Sequence, residues 1–289
     1  MQLLLNGKVI SMIGRQSKRC SSRIIPLLGW ILLVFVFGRP AYAVPNGGYV
    51  HPETLIQPEE LKGLIDRKDR KVPSIRIMDA RDKPQYLMGH IPEAVQLWRP
   101  DLEDQRQALP GMMAPRDQIE ELLGRLGITG TETLILYSDL YDHARLWWIL
   151  AYYGFPLKQM KLLDGGIDGW KAKGYPTEMI PPTVKKVEFE FGEKAKRMTP
   201  LLCTLPDVKS ALNDSKKAVL DVRSEKEYLG EEMKKGAQKA GRIPGVTWIE
   251  WKETIVEEGP YKGYWKSSEE MKRIFSAKGV TPDTDVDIY

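Results

Sequence analysis

Short apolar runs alternate with amphipathic segments along most of the chain. In residues 116–126 and 268–277 the apolar side chains recur at i, i+3, i+4 and i+7, which predicts helices packed on a sheet. Each of these helices is followed by a glycine, Gly127 or Gly279, where we expect a left-handed C-terminal cap. A further apolar helix is predicted over residues 144–153. Five runs have the length and composition of buried strands: residues 74–78, 133–137, 160–163, 218–222 and 286–289. This alternation predicts an α/β fold, with an open, mainly parallel sheet and helices on both faces.

The chain contains an internal repeat. The offset between matching segments grows from 142 to 152 residues, which places an insertion near residues 230–240. Four segments of the first half recur in the same order in the second half: 77–81 as 219–223, 89–95 as 241–246, 118–128 as 270–280, and 133–137 as 285–289. A repeat of this length indicates a duplicated domain.

The repeat predicts two units, residues 44–176 and 199–289. A linker is expected over residues 177–198, with an exposed strand in the alternating segment 187–191. No segment of the second unit corresponds to residues 138–176 of the first. We therefore expect the sequence to be a fragment in which the second unit is incomplete.

The first 43 residues differ from the rest in charge. They contain six basic and no acidic side chains, whereas the remaining chain has 37 basic and 39 acidic residues. The overall charge of +4 thus belongs to this segment and gives little support to a nucleic-acid partner. A 15-residue apolar run at 24–38 is followed by Ala41-Tyr42-Ala43, which predicts a signal peptide over residues 1–43 and export to the periplasm or the cell exterior. The alternative is an uncleaved membrane anchor at residues 24–38.

Cysteine and histidine are too few for several kinds of site. Cys20 and Cys203 cannot build a disulfide framework, and the three histidines lack metal-ligand spacing, so no metal site is expected. Cys203 lies before the first strand of the second unit, where a small, partly buried apolar residue is the more common role. His143 could act as a base for Ser138, but a loop-stabilising or solvent-facing histidine is the more common situation.

Several motifs together resemble the rhodanese-like sulfurtransferases. They are Asp79-x-Arg81, Gly89-His-Ile-Pro92, the stretch from Ala144 to Trp148, and the segment 163–170 with its Asp-Gly-Gly sequence. The duplication is similar to that of tandem-domain thiosulfate and 3-mercaptopyruvate sulfurtransferases, and the resemblance covers residues 50–289. It implies a pair of rhodanese-like domains, catalysis in the second without a metal or organic cofactor, and small-molecule sulfur donors and thiophilic acceptors as partners.

The resemblance also implies a six-residue loop that opens with a nucleophilic cysteine. In the first unit this loop is 138–143, and Ser138 occupies the cysteine position, with Asp139, Asp142 and His143 in the rest of the loop. A hydroxyl cannot carry sulfane sulfur, so the first unit is expected to be non-catalytic. In the second unit the cysteine is expected directly after Tyr289.

The sequence therefore predicts a sulfurtransferase that acts through a cysteine persulfide. Arg223 and Arg242 are candidate residues for binding an anionic donor, although structural pairing with Asp221 is the alternative for Arg223. The alternative function is a non-catalytic rhodanese-like module that binds an anion or a protein.

Overall fold

The computed structural model describes residues 47–67, 74–107, 110–139, 141–192 and 201–289. The predicted signal peptide, and with it the alternative anchor at residues 24–38, lies outside the described residues. Within the described ranges, no helix combines the length and apolar character needed to cross a bilayer.

Strands and helices alternate through the described residues. The strands are β1 (Leu55–Ile56), β2 (Ile75–Asp79), β3 (Val95–Gln96), β4 (Thr133–Tyr137), β5 (Met160–Leu163), β6 (Lys217–Asp221), β7 (Thr247–Trp248) and β8 (Asp285–Ile288). The α-helices are α1 (Pro58–Asp66), α2 (Lys83–Leu87), α3 (Arg116–Arg125), α4 (Asp142–Tyr152), α5 (Gly166–Ala172), α6 (Leu205–Ala211), α7 (Glu225–Leu229) and α8 (Ser268–Ala277). Short 3-10 helices span Pro52–Thr54, Arg99–Leu102, Leu157–Gln159 and Trp251–Thr254.

The first sheet has five parallel strands in the order β1-β5-β4-β2-β3. Alternate side chains of β4 enter two different apolar clusters, Leu134 and Leu136 on one face and Ile135 and Tyr137 on the other. The first cluster includes α3 and α4, and the second includes α1, α2 and α5. The prediction of a parallel sheet covered by helices on both faces is confirmed.

The second sheet has three parallel strands in the order β7-β6-β8, which is the order of β3-β2-β4 in the first sheet. Its apolar cluster is small: Leu220, Ile249 and Val280 are buried, and α8 packs on it through Ile274 and Phe275. Far more of the described apolar core belongs to the first sheet.

The two predicted helix ends have the same geometry. Gly127 and Gly279 have φ angles of +70° and +79°, which confirms the expected left-handed caps. The residue that follows each glycine donates its N–H to the carbonyl of the residue five positions earlier: Ile128 to Leu123 O and Val280 to Phe275 O, both at 3.0 Å.

The exposed strand predicted at residues 187–191 is wrong. This segment has no regular secondary structure and pairs with no strand. Two of its N–H groups bond to α3 instead: Val187 donates to Gly124 O and Phe191 to Glu120 Oε1. Phe189 and Phe191 are buried in the first apolar cluster. The apolar–polar alternation is thus that of a segment packed on a helix.

Candidate functional site

The loop after β4 lies at the carboxyl edge of the first sheet, where open α/β sheets commonly bind ligands. In this loop, Ser138 Oγ lies 2.7 Å from His143 Nδ1, and both side chains are buried. Burial lowers the pKa of His143 to about 4, so the imidazole is neutral at pH 7. Among the described residues its Nε2 atom has no hydrogen-bond partner, so no carboxylate orients the ring as in a catalytic triad. The contact joins the loop to the first turn of α4.

The two carboxylates predicted for this loop bind neighbouring polar groups. Gln85 Nε2 donates to Asp139 Oδ2 at 2.7 Å, and Arg99 Nη1 lies 3.5 Å from Asp142 Oδ1. Burial raises the pKa of Asp142. Asp142 is thus paired with an arginine, whereas the partner of Asp139 is a neutral amide.

A small cavity lies beside this loop. Its lining includes Ser138 and His143 from the first unit, and Trp251 and Trp265 from the second. Its volume is about 10 Å³, close to the space that one water molecule occupies. The cavity leaves no room for an organic substrate.

The predicted pair at the end of β2 is a buried ion pair within a larger network. Arg81 Nη2 lies 2.5 Å from Asp79 Oδ2 and also donates to Gly89 O at 2.9 Å. The Tyr137 hydroxyl donates to Asp79 Oδ2 at 2.6 Å and accepts from the Ile91 N–H at 3.1 Å. Burial raises the pKa of Tyr137, so the phenol keeps the proton that it donates. These bonds fix the end of β4 immediately before Ser138.

The same network is present at the end of β6. Arg223 Nη2 lies 2.6 Å from Asp221 Oδ2 and donates to Gly241 O at 3.0 Å. The Tyr289 hydroxyl donates to Asp221 Oδ2 at 3.0 Å and accepts from the Ile243 N–H at 3.3 Å. The residue that follows β8 is thus held by the same contacts as the residue that precedes the loop of the first unit.

The two networks differ in exposure. The Arg81 side chain is 4% exposed, whereas that of Arg223 is 29% exposed and lines an open cavity of about 320 Å³. Pro110 and Met112 of the first unit form part of this cavity. Most of its wall is the predicted insertion, with three lysines and two glutamates in the lining: Lys234, Lys235, Lys239, Glu227 and Glu232. Basic groups thus outnumber acidic ones at the carboxyl edge of the second sheet.

Arg242 lies elsewhere. It is exposed, its guanidinium carbon is 4.4 Å from the centroid of the Tyr228 ring, and Nη1 donates to Tyr228 O at 3.3 Å. It is absent from the lining of the larger cavity, so the structure does not bring the two candidate arginines together.

Cys203 has the environment of a protonated thiol. Its Sγ donates to Asp287 Oδ1 at 2.9 Å. Burial, followed by this hydrogen bond, raises the pKa of Cys203 to about 12. Nucleophilic cysteines require the opposite shift.

Sequence reasoning missed a buried carboxylate between the units. Asp164, at the end of β5, accepts from Gln57 Nε2 and from the Trp265 N–H, both at 2.9 Å. Burial raises its pKa to about 6. The Asp-Gly-Gly sequence signalled a special position, but no local pattern pointed to Trp265, because the two residues are far apart in the chain.

Over the described ranges, no group of three or more His, Cys, Asp or Glu residues is arranged to hold a metal ion.

Comparisons with known proteins agree with the motifs. Residues 57–173 match the rhodanese-like domain family. The sulfur carrier protein TtuD of Thermus thermophilus is 27% identical over 252 residues, which cover 84% of this chain and 84% of that protein. The 3-mercaptopyruvate sulfurtransferase of Escherichia coli K12 is 28% identical over 230 residues, 74% of this chain and 77% of that enzyme.

Solved structures share the fold. The 3-mercaptopyruvate sulfotransferase SseA from Escherichia coli has a TM-score of 0.67 at 25% identity, over 81% of this chain and 87% of that one. The anaerobic ergothioneine biosynthesis enzyme from Chlorobium limicola has a TM-score of 0.68 at 21% identity, which shows the fold alone. This chain spans 61% of the length of that enzyme.

The parallel sheets, the strand–loop–helix unit after β4 and the matched domain at residues 57–173 show a rhodanese-like α/β fold. Over most of its length the chain is similar to sulfurtransferases with this fold.

Proposed function

We propose that this protein moves sulfane sulfur from thiosulfate or 3-mercaptopyruvate to a thiophilic acceptor through a cysteine persulfide. The proposal puts the nucleophilic cysteine directly after Tyr289, at the first position of the second unit's loop. The observation that carries the proposal is the network of Asp221, Arg223 and Tyr289, which matches the bonds that precede Ser138 in the first unit.

The chemistry needs a thiolate and no metal. With thiosulfate, the thiolate attacks the outer sulfur, the S–S bond breaks, and sulfite leaves with the electron pair. A nucleophile such as cyanide then attacks the outer sulfur of the persulfide, which forms thiocyanate and regenerates the thiolate. Inward N–H groups of a strand–loop–helix junction and the positive end of the helix favour the thiolate form.

The cavity of about 320 Å³ supports an anionic donor. Among the described residues, Lys235 and Lys239 in its lining have no salt bridge, so their charge is available to a ligand. Arg223 is partly exposed to the same space while it pairs with Asp221. Arg242, if it contributes, acts from outside this cavity.

The first unit is proposed to be non-catalytic. Ser138 bonds to His143 and cannot carry sulfane sulfur, and the cavity beside it has room for about one water molecule.

The test uses the full-length protein translated beyond codon 289. A cysteine directly after Tyr289, thiocyanate formation from thiosulfate and cyanide, and its loss when that cysteine is replaced by serine would support the proposal. Ser138→Ala is the matched control at the equivalent loop position and should keep the activity. A serine, an aspartate or a stop codon after Tyr289 would overturn the enzyme proposal and favour a non-catalytic binding module.

Export of the protein is a separate proposal. It rests on the basic and apolar pattern of residues 1–43. Mature protein recovered from a periplasmic or culture fraction should begin at Val44. Protein that is found in the membrane fraction and still contains residues 24–38 would favour an anchor.

A further inference from the structure

The insertion of the second unit forms a loop whose two ends are in contact. Residues 231–240 stand between Gly230 and Gly241, whereas the matching residues of the first unit, Met88 and Gly89, are adjacent in the chain. A Cβ atom on Gly230 would lie 3.2 Å from the backbone nitrogen of Gly241, so the chain leaves and returns at one point. A loop of this form and length is an Ω-loop, a type that frequently carries function.

A basic stretch, residues 234–242, covers the second half of the Ω-loop and the two residues after it. It contains four basic and no acidic side chains: Lys234, Lys235, Lys239 and Arg242. All four are exposed. The Ala237 N–H donates to Lys234 O at 3.1 Å, and this turn puts Lys235 at the tip of the loop. Among the described residues, Lys234 is the only one of the four with a salt bridge, to Glu232.

The Ω-loop is fixed beside the position of the proposed nucleophile. Arg223 Nη2 donates to Gly241 O at 3.0 Å. The same guanidinium pairs with Asp221, which also accepts from the Tyr289 hydroxyl. The end of the basic stretch is thus tied to the network that precedes the proposed cysteine, and a ligand held on the stretch lies next to the persulfide.

The charges of the basic stretch extend further than one small anion can reach. Its three lysines line the cavity of about 320 Å³, whereas Arg242 lies outside that cavity. A ligand that uses all four charges must therefore leave the cavity and follow the loop, as a chain molecule does. Apolar side chains are available along the way, since Leu229 and Met233 are both more than half exposed.

A polypeptide fits this loop better than a nucleic acid does. The Ω-loop contains no aromatic side chain on which a base could stack, and Glu231 and Glu232 at its start repel phosphate groups. We propose that the basic stretch docks an acidic segment of a protein that carries the acceptor thiol. This inference rests on the sulfur-transfer proposal for its chemistry, but the docking itself can be measured without sulfur transfer.

The transfer to such an acceptor needs no further reactant. The acceptor thiol loses its proton to solvent, and its thiolate attacks the outer sulfur of the cysteine persulfide. A new S–S bond forms on the acceptor while the old one breaks, and the electron pair of the old bond stays on the cysteine of this protein. The acceptor leaves as a persulfide, and the catalytic thiolate is regenerated.

Two synthetic peptides test the docking with the full-length protein translated beyond codon 289. Both begin with a cysteine and two glycines, which are followed by a run of glutamates in one peptide and an equal run of glutamines in the other. Transfer from the preformed persulfide should be faster to the acidic peptide by at least about tenfold at low ionic strength. The difference should disappear at high ionic strength, because salt screens exposed charges.

Charge reversal locates the effect on the loop. The double variant Lys235→Glu, Lys239→Glu should bring the ratio of the two transfer rates to about one. The control variant Lys262→Glu, Lys272→Glu makes the same change in net charge at two exposed lysines outside the loop, and it should keep the wild-type ratio. Equal rates for the two peptides in the wild type, or an equal fall of the ratio in both variants, would overturn the docking.

A binding measurement separates this inference from the sulfur-transfer proposal. Labelled peptides with serine in place of cysteine cannot accept sulfur, and fluorescence anisotropy gives their dissociation constants. The acidic peptide should bind at least about tenfold more tightly than the glutamine peptide. This preference without any sulfur transfer would support the docking and overturn the sulfur-transfer proposal. No preference would overturn the docking, and tighter binding of a labelled single-stranded oligonucleotide would overturn the choice of a polypeptide partner.

Discussion

Replacing Asp164 by asparagine should stabilise the protein at neutral pH. Asp164 has no exposed surface, and its hydrogen bonds, from Gln57 and from the backbone of Gly165 and Trp265, do not compensate for the loss of water around the charge. Its pKa is therefore raised from 3.8 to about 6 by burial. Asparagine has no charge to bury, keeps an acceptor for the Trp265 N–H, and can donate to Gln57 once that amide rotates.

The size and sign of the effect follow from the two pKa values. A carboxyl whose pKa is higher in the folded state makes unfolding less costly as pH rises from its ordinary value through its folded value. The difference between 3.8 and about 6 corresponds to about 3 kcal/mol, absent below pH 4 and complete above pH 6. Asp164→Asn should thus equal the wild type at pH 4 and exceed it by about 3 kcal/mol at pH 8.

Urea unfolding at pH values from 4 to 8, followed by tryptophan fluorescence, measures the difference between the two proteins. The other titrating groups are common to both and cancel in this difference. Asp168→Asn, an exposed carboxyl on α5, is the control and should leave the pH dependence of the wild type unchanged. Parallel stability curves for Asp164→Asn and wild type, or a variant that is less stable at pH 8, would refute the reasoning.

Asp79→Asn should lower the unfolding free energy of the first unit by about 3–5 kcal/mol, since it leaves a buried guanidinium without its counter-ion. Hydrogen exchange in β4 measures this loss of stability. The equivalent change Asp221→Asn should cost less stability, because Arg223 is partly exposed. A larger loss for Asp221→Asn would contradict the role of burial. Gly166→Ala should cost at least about 2 kcal/mol, because φ is +55° and the new Cβ would lie 2.2 Å from Ser138 O; an unchanged urea midpoint would be inconsistent with this. The polypeptide 1–289 should form no thiocyanate above background from thiosulfate and cyanide. Cys203→Ser should leave that rate unchanged, because the Cys203 thiol stays protonated. A rate that this substitution abolishes would identify Cys203 as the nucleophile.

Local patterns were sufficient for the regular elements around the site. The predicted bounds of β4, β5 and α8 agree with the structure because each segment carries its own period and its own end signal. Ser267 caps α8 by accepting from the Glu270 N–H, and Gly279 ends it. The fold class needed only these elements in alternation.

Long-range packing was not accessible in the same way. The alternation in residues 187–191 is the same for a surface strand and for an irregular segment whose Phe189 and Phe191 pack in the core beside α3. Nothing near Asp164 in the sequence signals Trp265. These partners are set by how the units meet, which a periodic pattern does not encode.

The same limit applies to the two Asp–Arg–Tyr networks. The sequence makes Arg81 and Arg223 equivalent, and their hydrogen bonds are equivalent in the structure. Their surroundings differ. Side chains of the second unit, among them Trp251 and Trp265, cover the loop that follows β4 in the first unit. Arg223 instead faces an open cavity of about 320 Å³. The network therefore positions the end of a strand in both units, and the covering of the adjacent loop edge is what distinguishes the two units.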